Sequence, residues 1–158
     1  MDELRPGLWT WTGEHPEWTP ELTWGPEVRS YAVQIEEMRV LIDPVLPAPR
    51  ADAVLLTVPW HRRDTDELDL PVLDEPPGGI EARPGYFPEE QVFWLPEHRA
   101  IVVGDSYMDG HRAPFEWATD DPDAPKRLRA LLELPFELVL PTHGDVTDRA
   151  AFESSLDA

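Results

Sequence analysis

A chain of 158 residues with 32 acidic and 13 basic side chains carries a formal charge of −19, which excludes nucleic acid and anionic membrane surfaces as partners over most of its surface. It contains no cysteine, so disulfides and thiolate metal ligation are excluded and any metal must be held by His, Asp, Glu or water. The length suits a single domain over residues 1–158 with a proper core. The start "MDELRPGLWTW" lacks a signal peptide's basic segment and apolar run, and no stretch reaches the ~18 apolar residues of a membrane span, so a cytoplasmic protein with no membrane partner is expected.

In chain order, the N-terminal third is rich in tryptophan, with Trp9, Trp11, Trp18 and Trp24 close together. Large aromatics in such a cluster read as core or as a lid over a sheet edge. Two apolar, β-branched runs follow, Val28 to Ile35 and Met38 to Val45, separated only by Glu36 and Glu37. They predict a hairpin. "AVLLTVPW", Ala53 to Trp60, is continuously apolar at its start and predicts a strand over Ala53 to Pro59, buried on both faces. The next segment, "HRRDTDEL", places Asp64 three residues before Glu67, a spacing that suits a helix N-cap and its capping-box partner.

Residues Leu70 to Glu90 are crowded with Pro and Gly and predict turns with short extended pieces. A second hairpin is expected from "QVFWL" and "AIVVGDSY", joined by Pro96 to Arg99, with Gly104-Asp105 at the end of its second arm. Between Asp123 and Leu134, Leu128, Leu131 and Leu132 recur at helical spacing after an Asp and a Pro, and Pro135 stops the helix. "ELVLPTHGD" then reads as a strand running into a loop with His143, and Thr147 as the cap of a short last helix. His15, His98 and His111 have turn-like or charged neighbours and are expected at the surface, and His61 reads first as a solvated loop residue.

Strand ends thus carry four polar points: the His61/Asp64 segment, the Pro84-Gly85-Tyr86 turn, Gly104-Asp105, and Thr142-His143-Gly144. In their order and spacing, with "SYAVQIEEMRVLIDPV", "VVGDSYM" and "VLPTHGD", the chain resembles the metallo-β-lactamase superfamily from about Gly7 to Val146. The resemblance implies an α+β fold, a four-layer αββα sandwich, here reduced in size. It also implies metal, usually zinc, held at strand ends by a His-x-His-x-Asp-His signature. With Asp64 as the signature aspartate, Trp60 and Arg62 stand where the first two histidines belong and Thr65 where the last belongs. The family's Pro-Gly-His turn appears as Pro84-Gly85-Tyr86.

What the resemblance leaves is Asp64, Asp105 and His143 as candidate ligands of one divalent ion, zinc, manganese or iron, with no metal at all an equal alternative. Three functional readings follow. In the leading one the metal site is degenerate, and the protein is weakly active or inactive and holds at most one metal or a small anionic ligand, with Arg62 nearby. In the second it is a working mononuclear hydrolase of ester, thioester or phosphoester substrates, with Asp64 at the metal and Tyr86 or His61 assisting proton transfer. In the third it binds a protein partner through the Trp-rich N-terminus. The expected partner in the first two is a small molecule; substrate and oligomeric state are not legible.

Overall fold

In a computed structural model, which describes every residue except 115, 116, 118, 119 and 158, the chain forms two compact units, Met1–Gly78 and Gly79–Ala158. Each contains one five-stranded sheet.

The first unit is built from β1 (Asp2–Arg5), β2 (Leu8–Glu14), β3 (Glu27–Ile35), β4 (Met38–Ile42) and β5 (Ala53–Leu55), which lie side by side in that order. The first four are antiparallel and β5 joins β4 in parallel. The expected hairpin is present: Ile35 faces Met38 across a loop of Glu36 and Glu37, and Glu36 takes a left-handed φ of 55°. Strand β3 lies inside the sheet, with Val28, Tyr31, Ala32 and Val33 all buried.

Trp9, Trp11 and Trp24 serve this unit's interior. Trp11 is buried among Val28, Ala32, Leu41, Val45 and Val54, with Trp9 and Trp24 packed against the cluster. The Trp11 indole donates to the Val45 carbonyl at 2.9 Å, as a buried Trp requires. Core use of these rings gives the partner-binding reading no support of its own.

The strand expected over Ala53 to Pro59 stops at Leu55. Its continuation is taken out of the ladder because the Thr57 amide turns to the Asp43 carboxylate and Pro59 opens a 3-10 turn over Pro59–His61. A second 3-10 segment spans Arg63–Leu68, with Arg62 at its N-cap and no side-chain cap bond. The N-cap expectation for Asp64 is therefore corrected: Asp64 lies inside that segment. Among the described residues the first unit has no α-helix.

The second unit holds β6 (Glu81–Pro84), β7 (Gln91–Leu95), β8 (Ala100–Gly104), a small ribbon of β9 (Tyr107–Met108) and β10 (His111–Arg112), helix α1 (Ala124–Ala130), β11 (Leu138–Pro141), β12 (Thr147–Asp148) and helix α2 (Arg149–Leu156). Its sheet runs β12-β11-β8-β7-β6, with β11 parallel to β8 and the other neighbours antiparallel. Strand β8 is buried along its whole length. Ile101 and Val103 join Val92, Trp94, Leu128, Leu131, Phe136 and Phe152 in the core, so the leucine spacing read as one helical face does bury, while Leu132 packs at its margin.

Helix α2 begins one residue later than expected. Thr147 sits in β12 opposite Val139, and Asp148, with extended backbone, caps the helix by accepting from the Ala151 amide at 2.9 Å. Asp148→Ala is expected to lower stability by about 1 kcal/mol, read as a shift of the urea midpoint; an unchanged midpoint would show that the cap contributes nothing. No helix among the described residues is long and apolar enough to cross a membrane.

Candidate functional site

The two units each carry part of what the sequence singled out. In the first, the chain after β5 is organised around Asp43, which follows β4 at a left-handed φ of 49° and is buried. Its carboxylate accepts from the Thr57 amide at 2.8 Å and the Thr57 hydroxyl at 2.5 Å. The His61 Nδ1 lies 2.9 Å from Asp43 Oδ2 and 3.1 Å from Thr57 Oγ1. The Asp43 carbonyl receives a hydrogen bond from Ser30 and one from Arg63.

His61 was expected first as a solvated loop residue, and this is corrected: it is only 2 % exposed and its Nδ1 faces Asp43 and Thr57. The short 3-10 turn explains the inversion. It sends the side chain at His61 inward and leaves its neighbour Trp60 45 % exposed.

The rest of the segment is likewise engaged. Arg62 turns outward to Asp66 at 2.5 Å, both side chains well exposed, and this pairing raises the arginine's pKa and lowers that of Asp66. Thr65 is buried. Asp64 is half-buried, and its Oδ2 accepts from the Leu46 amide at 3.1 Å, fastening the loop between β4 and β5.

The second unit brings together two of the predicted residues. Because β11 runs parallel beside β8, with Pro141 opposite Gly104, both strands end at the same edge, and the residues that follow them meet there. His143 Nε2 stands 3.6 Å from Asp105 Oδ1, with both side chains almost fully buried. The Thr142 amide donates to the Gly104 carbonyl, and the Asp109 amide to the His143 carbonyl.

Tyr86, the other candidate for assisting proton transfer, is fully buried in the core with its hydroxyl shut off from solvent. His98, expected at the surface, is also buried, in the 3-10 turn between β7 and β8. His15 is half-buried against Trp24, and burial, then Arg63, lowers its pKa. His111 is exposed as expected.

Behind Asp105 lies a group that sequence reasoning missed. The buried Glu90 carboxylate accepts from the Tyr86 amide through Oε1 at 3.0 Å and from the Asp105 amide through Oε2 at 2.9 Å. The Ser106 hydroxyl donates to Oε1 in a very close contact. Burial pushes the Glu90 carboxyl up to about 8, opposed by these donors. From the other side, Arg127 of α1 donates to the carbonyls of Gly85 and Tyr86, each at 2.6 Å, while paired with Asp121.

No protein-family model matches this chain, and no curated protein does. Solved structures do. A metallo-beta-lactamase from Pontibacter korlensis superposes with a TM-score of 0.72 at 16 % identity, covering 99 % of this chain and 96 % of the other. The metallo-beta-lactamase FIM-1 from Pseudomonas aeruginosa, in its mono-zinc form, gives 0.65 at 14 %, covering 98 % and 92 %. A protein designated TTHA1623, in a di-iron-bound form, gives 0.67 at 24 %, covering 85 % and 96 %. The chain has the metallo-β-lactamase fold.

On this metallo-β-lactamase fold, whose first unit has 3-10 turns as its helical segments, the donor set does not fit a metal centre of the usual kind. Among the described residues no three His, Asp or Glu side chains are gathered to hold one ion. A zinc site needs three or four such donors, whereas indole, guanidinium and a buried phenol supply none at accessible pH. Asp43, Glu90, Ser106 and Arg127 were the groups missed. Asp43 had a signal, since "LIDP" places a carboxylate at a strand end as "VVGD" does; Glu90 had none to separate it from Glu89.

Proposed function

We propose that this is a hydrolase-like protein of the metallo-β-lactamase fold whose metal centre has been dismantled, and that it binds a small molecule or at most one weakly held divalent ion. The observation that carries this reading is the fate of the Trp60 to Thr65 segment. Its two residues with ligating chemistry, His61 and Asp64, hydrogen-bond within their own unit to Asp43, Thr57 and the Leu46 amide. Through these engaged atoms, His61 Nδ1 and Asp64 Oδ2, neither side chain could ligate a cation without giving up a bond already made, at a cost of about 1–3 kcal/mol each.

Zinc and iron occur in the similar structures named above. A working mononuclear hydrolase is the second reading, and the Asp105 and His143 pair is what supports it: two ligands of opposite charge type, already adjacent, would need one further donor and an open position for water.

Protein purified without chelator is expected to contain well under one equivalent of zinc, manganese or iron by elemental analysis. It is also expected to show no metal-dependent turnover of generic ester, thioester or phosphoester substrates. Two metal ions per chain, or turnover abolished by Asp105→Ala, would replace the leading reading by the working hydrolase.

A further inference from the structure

The turn Pro84-Gly85-Tyr86 and the turn Gly104-Asp105-Ser106 follow different strands, and neither backbone pairs with the other through a strand ladder at those residues. They are nevertheless joined. One carboxylate, Glu90, reaches both: Oε1 takes the Tyr86 amide and the Ser106 hydroxyl, and Oε2 takes the Asp105 amide. The Tyr86 amide is also 3.0 Å from Ser106 Oγ, which closes a ring of hydrogen bonds around the carboxylate.

The fit is tight at Gly85, where an added Cβ would stand 2.5 Å from Glu90 Oε1 and 2.7 Å from its Cγ. Only glycine admits this carboxylate. The Gly85 amide in turn donates to the Glu90 carbonyl, and the Glu90 amide to the Phe87 carbonyl, so the side chain is aimed by its own backbone.

We propose that Glu90 is the positioning residue of the Asp105 and His143 pair: it fastens Asp105, and with it that pair, to the Pro84-Gly85-Tyr86 turn by protein contacts alone, so that this arrangement is set without a cation. Arg127 completes the clamp by holding the Gly85 and Tyr86 carbonyls that Glu90 does not reach. Two amide donors and two carbonyl acceptors of one edge are thereby satisfied inside the protein. This deepens the reading of a dismantled metal centre and rests on it for the purpose of the Asp105 and His143 pair, but the clamp can be tested separately.

The test is amide hydrogen exchange by NMR on full-length protein dialysed against chelator. In the unaltered protein the Tyr86 and Asp105 amides are expected to exchange slowly. In Glu90→Ala the Asp105 amide should exchange faster by about tenfold or more, the factor for one lost hydrogen bond, and the Tyr86 amide, which keeps Ser106 Oγ within reach, by a smaller factor, while Val102 in β8 stays protected. Glu90→Gln keeps one acceptor oxygen and a similar shape, so one of the two amides should remain slow; this variant decides the matter if Glu90→Ala does not fold.

Fast exchange at both amides in the unaltered chelated protein, or unchanged exchange in a folded Glu90→Ala or Glu90→Gln, overturns the clamp. A uniform loss at Val102 as well as at the two amides in both variants also overturns it, because Glu90 would then be a general stabiliser. Stoichiometric zinc with the two amides equally slow before and after chelation would refute the proposed function and leave the clamp standing.

Discussion

Asp43→Ala is expected to lower the unfolding free energy by about 3–5 kcal/mol, the range for removing one partner from a buried, hydrogen-bonded charged group. Asp43 is almost completely buried, and its carboxylate answers the Thr57 amide, the Thr57 hydroxyl and the His61 ring. Alanine would leave these donors buried without that acceptor, and would also have to adopt the left-handed φ of 49° that aspartate tolerates better. Asp43→Asn retains the shape and the backbone tolerance and keeps one acceptor oxygen, so it should cost roughly 1–2 kcal/mol. Urea denaturation followed by far-UV circular dichroism measures both. A cost below about 1 kcal/mol for alanine would mean that the network contributes little and that His61 is free for another task. A double-mutant cycle with His61→Ala gives the decisive second number: residues acting as a unit should couple by at least ~1 kcal/mol.

The second large effect concerns pH. With its carboxyl raised from 4.5 to about 8 by burial, folded protein carries a proton on Glu90 that unfolded protein has lost between those values. The associated stability is fully present below about pH 4.5 and is lost as pH rises through about 8. The stability of the unaltered protein relative to Glu90→Gln, which cannot titrate, should therefore fall between pH 5 and pH 8, by an upper limit of roughly 3–4 kcal/mol. Paired urea titrations at three pH values within that window measure it. A difference that stays flat, or that grows with pH, would show that the donors from Tyr86, Asp105 and Ser106 outweigh burial and hold Glu90 ionised.

The amino-acid pattern was sufficient for most of the strands. The two hairpins, the burial of Leu128 and Leu131 (although the expected helix ends at Ala130 and Leu131–Glu133 form a 3-10 turn) and the strand leading to His143 were legible because each depends on spacing within about ten residues and on the turn residues that bound it. The meeting of Asp105 and His143 was legible as well, through the order of the strand-end motifs that resembles the metallo-β-lactamase superfamily. Three local expectations were displaced, two by single bonds from elsewhere in the chain and one by a bond within the helix itself. Asp64 left its cap for the Leu46 amide, Asp148 took the cap expected of Thr147, and the strand after Ala53 ended early at the Thr57 amide's bond to Asp43.

By itself, the sequence determined that this protein lacks cysteine for thiolate ligation, and, through the family resemblance, it implied that Trp60, Arg62, Thr65 and Tyr86 stand where the signature and the Pro-Gly-His turn have histidines. These follow from residue identity and need no coordinates. Only the tertiary structure decided what the remaining polar residues do. His61 and Asp43 are separated by 18 residues and Glu90 and Ser106 by 16, distances over which neither periodicity nor local propensity selects a partner. A buried polar group must find one. Which one it finds depends on the turns and strand ends that the fold sets beside it, and that is how a histidine and a glutamate indistinguishable in sequence from surface residues came to be the centres of two buried networks.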